Sequence, residues 1–277
     1  MKKIQTNIPF NYITIKITQS RIAKGLLAIP VSLIDKFPKK NRIITVFEND
    51  KAVEKPYTSY NSSSKECRIG GMQNFYKKYK IQNGDELVII ILSNNNYKII
   101  PEKIFKKEFQ TLENKIDNTI EDHKIDLLFK DLSKLTNQNQ SAVMQNEFIR
   151  LATNDFENRK IIKNKNIFHK DSVPPAIRNI LLTLYQGKCQ LSNFTFMMKN
   201  DKPYFELHHI NPKLGHHVKN LLVVSPNIHA QFTHANFQQI FDNDGWLRKV
   251  IFDYQQYNVF QAIDNIDKKF YKETHNE

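Results

Sequence analysis

Six of the chain's nine histidines, His208, His209, His216, His217, His229 and His234, fall within 27 residues, where an even spread of nine over 277 would place about one. An imidazole with an ordinary pKa near ~6.5 is largely neutral at pH 7, so it can take a proton from water or offer a lone pair to a divalent metal. Asn211, Pro212 and Asn220 are interleaved with these rings, as are the lysines 213 and 219. A set of surface histidines is the plain alternative.

The surrounding sequence supplies elements that could hold such rings in place. Pro174-Pro175 opens a helix whose apolar face is Ile177, Ile180, Leu181 and Leu184, since proline is tolerated in a helix's first turn, and Gly187 ends it. Phe205 to Ile210 and Leu221 to Val224 read as two short strands joined by a polar loop, and a helix starts around Asn227. The order is helix, strand, loop, strand, helix.

Three blocks in this order, His208-His209-Ile210-x-Pro212, Asn220-Leu221-Leu222-Val223-Val224 and Pro226-Asn227-x-His229, resemble the HNH nuclease motif. The family fold is a ββα-metal finger, and the resemblance covers roughly residues 188 to 237. Gly187-Lys188-Cys189-Gln190-Leu191-Ser192 before the motif and Ala230-Gln231-Phe232 after it are most similar to the branch found in restriction endonucleases.

The resemblance implies that His209 is the general base, His208 and His229 are metal ligands, and Asn220 braces the loop and orients the base. Adjacent side chains at a strand end point in different directions, so His208 can face a metal while His209 faces a water. Phosphodiester hydrolysis needs such a base and a cation that neutralises charge developing on the phosphate. The implied ion is Mg²⁺, or Mn²⁺ or another divalent ion. Many relatives hold a structural zinc between two Cys-x-x-Cys knuckles, but the matching positions here are Cys189-x-x-Ser192 and Ser225-x-x-Ile228. A single thiolate does not make a four-ligand site, so no structural zinc is expected. Thr233 stands where the branch often has an acid. His216 and His217 are expected in a solvated loop, and Lys188, Lys213 and Lys219 are candidate phosphate contacts.

Nearer the N-terminus, residues 11–18, 42–47 and 86–92 alternate or are rich in β-formers, with Pro30, Pro38, Pro56, the 61–64 Asn-Ser run, Gly70-Gly71 and Asn83-Gly84-Asp85 as punctuation. Short helices are expected over 31–37 and 72–79. Gly25-Leu26-Leu27-Ala28-Ile29-Pro30, Met72-x-x-Phe75-Tyr76 and Ile81-x-x-Gly84-Asp85-Glu86-Leu87-Val88 resemble the B3-like DNA-binding pseudobarrel, over about residues 8 to 95. The resemblance implies two arms entering the major groove, 19–24 and 57–68. Arg21 and Arg68 suit guanine and Gln19 and Asn61 suit adenine, while Ser20, Lys24, Ser62, Ser63, Ser64 and Lys65 suit phosphate or either role.

The middle of the chain differs from both ends. From Pro101 to about Lys160 glycine disappears and Ile116, Ile120, Ile125, Leu128, Phe129, Leu132 and Leu135 recur at helical spacing. The basic excess is concentrated before it: residues 1–110 carry 20 basic and 9 acidic groups, 111–160 carry 7 and 9, and 161–277 carry 14 and 10. A net charge of +13 favours a polyanionic partner. Two distant cysteines, Cys67 and Cys189, offer no disulfide framework, and no apolar run approaches the ~18 to 20 residues that span a bilayer. A cytoplasmic protein without a membrane role is expected.

These readings combine into an α+β expectation: a B3-like DNA-recognition pseudobarrel over 1–105, a helical linker and candidate dimerisation segment over 106–160, and a ββα-metal nuclease domain over 161–277. The implied function is a sequence-specific, metal-dependent DNA endonuclease of the type II restriction kind. Its implied partners are double-stranded DNA, a second copy of the chain and a DNA methyltransferase that protects host DNA. A modification-dependent nuclease and a non-catalytic DNA-binding regulator are the alternatives.

Overall fold

The computed structural model describes residues 12–60, 66–93, 95–164 and 167–266, without the side chains of Ser93 and 161–170. The described residues form two compact units. One runs to Asn114 and includes Lys134–Asn137; the other comprises Lys115–Ser133 and the chain from Gln138 onward.

The first unit contains β1 (Ile13–Lys16), α1 (Gln19–Lys24), β2 (Leu27–Ile29), a 3-10 turn (Val31–Lys36), β3 (Arg42–Glu48), β4 (Lys51–Thr58), β5 (Cys67–Ile69), α2 (Gln73–Lys78), β6 (Glu86–Ser93) and β7 (Asn96–Pro101). The strands form one sheet in the order β1-β6-β7-β3-β4-β5-β2, antiparallel except for β3 with β7. The sheet curls into a nearly closed barrel, compatible with the expected B3-like pseudobarrel. A cavity of about 640 Å³, lined from both edge strands β1 and β2, lies at the opening.

Alternation explains which faces close on each other. Ile44 and Val46 on β3, Tyr57 on β4, Leu87 and Ile89 on β6, and Tyr97 and Ile99 on β7 point into one core with Phe75 and Met72. Asn49 and Asp50 both have positive φ, which a two-residue type I′ hairpin between β3 and β4 requires. The segment expected as a helix over 31–37 is a 3-10 turn instead, because Pro30 and Pro38 bracket too few residues to propagate α-helical bonds.

The middle segment is helical, with α3 (Glu102–Asn118), α4 (Asp122–Thr136) and α5 (Gln140–Thr153). Asn139 caps α5 by accepting from the Ala142 N–H. No helix among the described residues is long and apolar enough to cross a membrane.

The second unit continues with the hairpin β8 (Ile161–Asn164) and β9 (Ile167–Lys170), α6 (Pro175–Tyr185), β10 (Glu206–His209), β11 (Leu221–Val224), α7 (Pro226–His234), and a sheet of β12 (Phe237–Phe241), β13 (Leu247–Phe252) and β14 (Gln255–Asn258). β10 and β11 pair antiparallel, with His208 opposite Leu222 and His209 opposite Leu221. All four β11 residues are buried. Leu222 and Val224 pack with Ile228 and Phe232 of α7 and with Leu247, Val250 and Phe252 of β13. The C-terminal sheet has no counterpart in the sequence reading, because β12 is mostly exposed and shows no apolar alternation. It supplies the floor on which the helix and hairpin sit.

Candidate functional site

β10 presents alternate residues to opposite sides, and the histidines divide accordingly. On one side stand Glu206 and His208, against α7. The His208 ring stacks on Phe232 with centroids 4.1 Å apart and meets His229 edge-on at 5.3 Å. Glu206 Oε2 lies 2.5 Å from His229 Nδ1, and the Tyr204 hydroxyl donates to Glu206 Oε1 at 2.7 Å. That hydroxyl, with His229, holds the Glu206 carboxyl below its ordinary range despite partial burial. A carboxylate bonded to one imidazole nitrogen directs the other nitrogen outward, as metal-binding histidines commonly require.

Glu206 is a residue the sequence reading missed. The signal was present, since Glu206-x-His208 on a strand places both side chains on one face.

His209 faces the other way. Its Nε2 lies 3.1 Å from His216 Nδ1, and His216 Nε2 lies 3.1 Å from Asp171 Oδ2. The latter contact is off the ideal hydrogen-bond direction, so its weight is electrostatic. Arg159 holds the same aspartate, with Nε 3.3 Å from Oδ1 and Nη2 donating to the Asp171 carbonyl at 2.8 Å.

The loop from Asn211 to Gly215 lies between His209 and His216 and is fixed from both sides. Asn220 is 3% exposed; its Oδ1 accepts from the Asn211 N–H at 2.8 Å, and its Nδ2 donates to the carbonyls of Asn211 at 3.1 Å and Gly215 at 3.0 Å. From the other side the Arg159 N–H donates to Lys213 O and the Gly215 N–H to Glu157 O. Asn220 thus touches the loop rather than the His209 ring.

His216 and His217 are not in a solvated loop, which corrects the sequence reading. His217 accepts from the Lys219 N–H through Nδ1, so Nε2 carries the proton donated to Asn154 O at 3.0 Å, and Phe156 lies on its ring at 4.1 Å. The cause is tertiary: α5 and the strand-like segment after it cover this stretch. Burial lowers the pKa of both rings, although Asp171 pulls His216 the other way.

Burial also pushes His208 down to about 4, reinforced by His229, and His209 down to about 4, reinforced by Arg159, His216 and His208 and opposed by Asp171. Both rings are therefore neutral at pH 7, the form that binds a metal or accepts a proton. Among the described residues no group of three or more His, Cys, Asp or Glu side chains could hold a metal ion. His208 and His229 form a two-nitrogen set. That fits a loosely held divalent ion whose remaining positions go to water and phosphate oxygens, and it is too small for a closed tetrahedral site.

Of the neighbouring residues, Cys189 is buried, and although burial raises its thiol pKa, hydrogen bonds from Ser192, Ser225 and Leu191 bring it below the ordinary value. His234 and Thr233 are exposed at the end of α7, and the Thr233 hydroxyl donates to His229 O. Lys219 donates to Asp244 O at 2.9 Å and lies over the Trp246 ring; Lys188 and Lys213 are exposed.

In the first unit, Gln19, Ser20 and Lys24 are exposed on α1. Arg21 turns toward the start of β5, where Glu66, the residue before the strand, receives Arg21 Nη2 at 2.5 Å and Arg68 Nε at 2.6 Å. Partial burial resists ionisation of Glu66, but the two guanidiniums, Arg68 and then Arg21, outweigh it and lower its pKa. The remaining predicted contacts, Asn61, Ser62, Ser63, Ser64 and Lys65, lie outside the described residues.

No protein-family model matches the chain, and no curated protein matches it. Among solved structures, the Arabidopsis FUS3–DNA complex is similar over 32% of this chain and 92% of its own, with 17% identity and a TM-score of 0.27.

Proposed function

We propose that this protein is a divalent-metal-dependent DNA endonuclease of the HNH kind, with His209 as the general base, His208 and His229 as the metal-holding pair, and the barrel unit as the DNA reader. The observation that carries the reading is the division at β10: His208 faces His229 across 5.3 Å, while the adjacent His209 faces the opposite side beside a loop pinned by Asn220. Hydrolysis of a phosphodiester needs two such functions close together but not competing for one ligand.

Each side chain then has a definable task. His209, neutral at pH 7, accepts the proton of the attacking water. Glu206 bonds His229 Nδ1, which leaves Nε2 as the nitrogen that would coordinate, and Phe232 fixes the plane of the His208 ring. His208 and His229 would hold a Mg²⁺ or Mn²⁺ ion, which would supply positive charge against the charge developing on the phosphate and leaving oxygen. Asn220 keeps the 211–215 loop in one conformation, so that His209 need not be reoriented during the reaction.

Target recognition is assigned to α1 and β5 of the barrel, where Arg21 and Arg68 share Glu66. Paired guanidiniums suit guanine edges, and the 20 basic against 9 acidic residues of 1–110 suit phosphates. Cutting both strands with one site per chain calls for two copies or two sequential nicks, and a cognate methyltransferase is the partner a restriction enzyme requires. The small metal-ligand set supports a second reading, a DNA-binding regulator without catalysis.

The test is cleavage of unmodified plasmid and phage DNA with Mg²⁺ or Mn²⁺ by the wild type and by His209→Ala, with the ends mapped. Discrete fragments that vanish with His209→Ala support the nuclease. Binding without cutting by both proteins, under every divalent ion, supports the regulator.

A further inference from the structure

Four residues from three separated stretches of the second unit, Arg159, Asp171, His216 and His209, form an unbroken line of polar contacts. Only His209 has a task in the reaction proposed above. The side chain of His216 is 10% exposed and that of Asp171 18%, so water competes weakly for either. Two imidazoles at 3.1 Å with one shared proton must adopt complementary tautomers, one donating and one accepting.

We propose that His216 and Asp171 are positioning residues that fix the tautomer and ring orientation of His209, so that its Nδ1 is the nitrogen presented to the attacking water. The proposal rests on His209 being the general base.

The assignment follows from the end of the line. Asp171 Oδ2 at 3.1 Å favours the proton on His216 Nε2, which leaves His216 Nδ1 bare. A bare Nδ1 facing His209 Nε2 accepts a hydrogen bond, so His209 carries its proton on Nε2 and its Nδ1 lone pair is free for catalysis. Arg159 secures the aspartate at Oδ1 and at its carbonyl, and its own N–H is tied to Lys213 in the loop that leads to His216. Asp171 and His216 are thus held to one another by main chain as well as side chain. A base fixed in one tautomer avoids the rotation or proton exchange that would otherwise precede each turnover.

The experiment uses the full-length protein with ¹⁵N-labelled histidines and reads the tautomer of each ring from long-range ¹H–¹⁵N correlations at pH 7. His209 protonated on Nε2, with His216 bare at Nδ1, is the expected wild-type result; His209 protonated on Nδ1, or exchanging between both forms, overturns the proposal without any variant. His216→Phe and Asp171→Leu are expected to release His209 into mixed tautomers and to lower kcat by about 10- to 100-fold with KM nearly unchanged. His216→Asn and Asp171→Asn, which retain an acceptor toward the neighbouring N–H, restore much of both signals. An unaltered His209 tautomer in His216→Phe also overturns the proposal. Absence of cleavage by the wild type removes the nuclease reading instead, and leaves the tautomer measurement to decide the positioning claim.

Discussion

Asn220 and Asn211 hold each other by two hydrogen bonds, the Asn211 N–H donating to Asn220 Oδ1 at 2.8 Å and Asn220 Nδ2 donating back to the Asn211 carbonyl at 3.1 Å. The pair closes the loop between His209 and His216 onto the start of β11, so the segment joining these two rings is fixed by a buried amide that bonds to neither.

Asn220→Ala leaves the Asn211 N–H and the Asn211 and Gly215 carbonyls without this partner. A polar group left unpaired when buried costs about 1 to 3 kcal/mol; the Gly215 bond is buried and the two Asn211 bonds are part-buried, so a loss of roughly 2 to 4 kcal/mol is expected. Urea denaturation measures it. Asn220→Asp keeps the acceptor and loses the donor, so it should recover only a small part of the loss.

The acid side of the stability profile should depend on the buried rings. His208 and His209 are lowered from 6.5 to about 4 in the folded protein, so between those pH values the unfolded chain binds more protons than the folded one. Stability therefore falls as pH drops from about 6.5 to about 4. Thermal melts in a chelator should show Tm declining through this window, with a shallower decline in His208→Phe. An unchanged slope in that variant would show that His208 is not a source of the effect.

Glu206 is expected to act on metal binding through His229. Glu206→Ala should weaken Mn²⁺ binding by about 10- to 100-fold, while Glu206→Gln, whose amide oxygen can still accept from Nδ1, should retain more affinity. Calorimetric titration with Mn²⁺ distinguishes the two. Equal losses would indicate that the carboxylate's charge, rather than its orientation of His229, matters.

DNA reading by the barrel predicts different behaviour for different bases. Arg68→Ala should cost about 1 to 3 kcal/mol and relax preference at one position of sequences selected from random duplexes, whereas Lys24→Ala should weaken all sequences alike and reduce the salt dependence by about one ion. Fluorescence anisotropy at several salt concentrations, alongside the selection, reads both.

Gly187 has φ near +68°, and a Cβ there would lie 2.5 Å from the Cβ of Pro203, in the segment leading to β10. A proline ring cannot swing aside as a long side chain can. Gly187→Ala should lower stability by about 1 to 3 kcal/mol, read as a lower Tm.

Much of the elements' layout was legible locally. The β-former-rich runs at Glu86 and Arg42 and the apolar spacing in 175–185 predict β6, β3 and α6, because branched side chains favour extended backbone and a half-buried helix imposes its repeat on the sequence. The β12–β14 sheet was not legible, since β12 is mostly exposed and packing elsewhere in the sheet stabilises it.

What the sequence by itself determined is the local part of the site: two adjacent histidines on a strand must face opposite ways, and Glu206 must share the face of His208, because side chains alternate along a strand. Only the tertiary structure decided the rest. Asp171 reaches His216 across 45 positions of sequence, with Arg159 holding that aspartate, and α5 and the following segment convert His216 and His217 from nominal loop residues into buried, bonded ones. Contacts between distant segments depend on how whole elements pack, and no spacing rule within either segment encodes them.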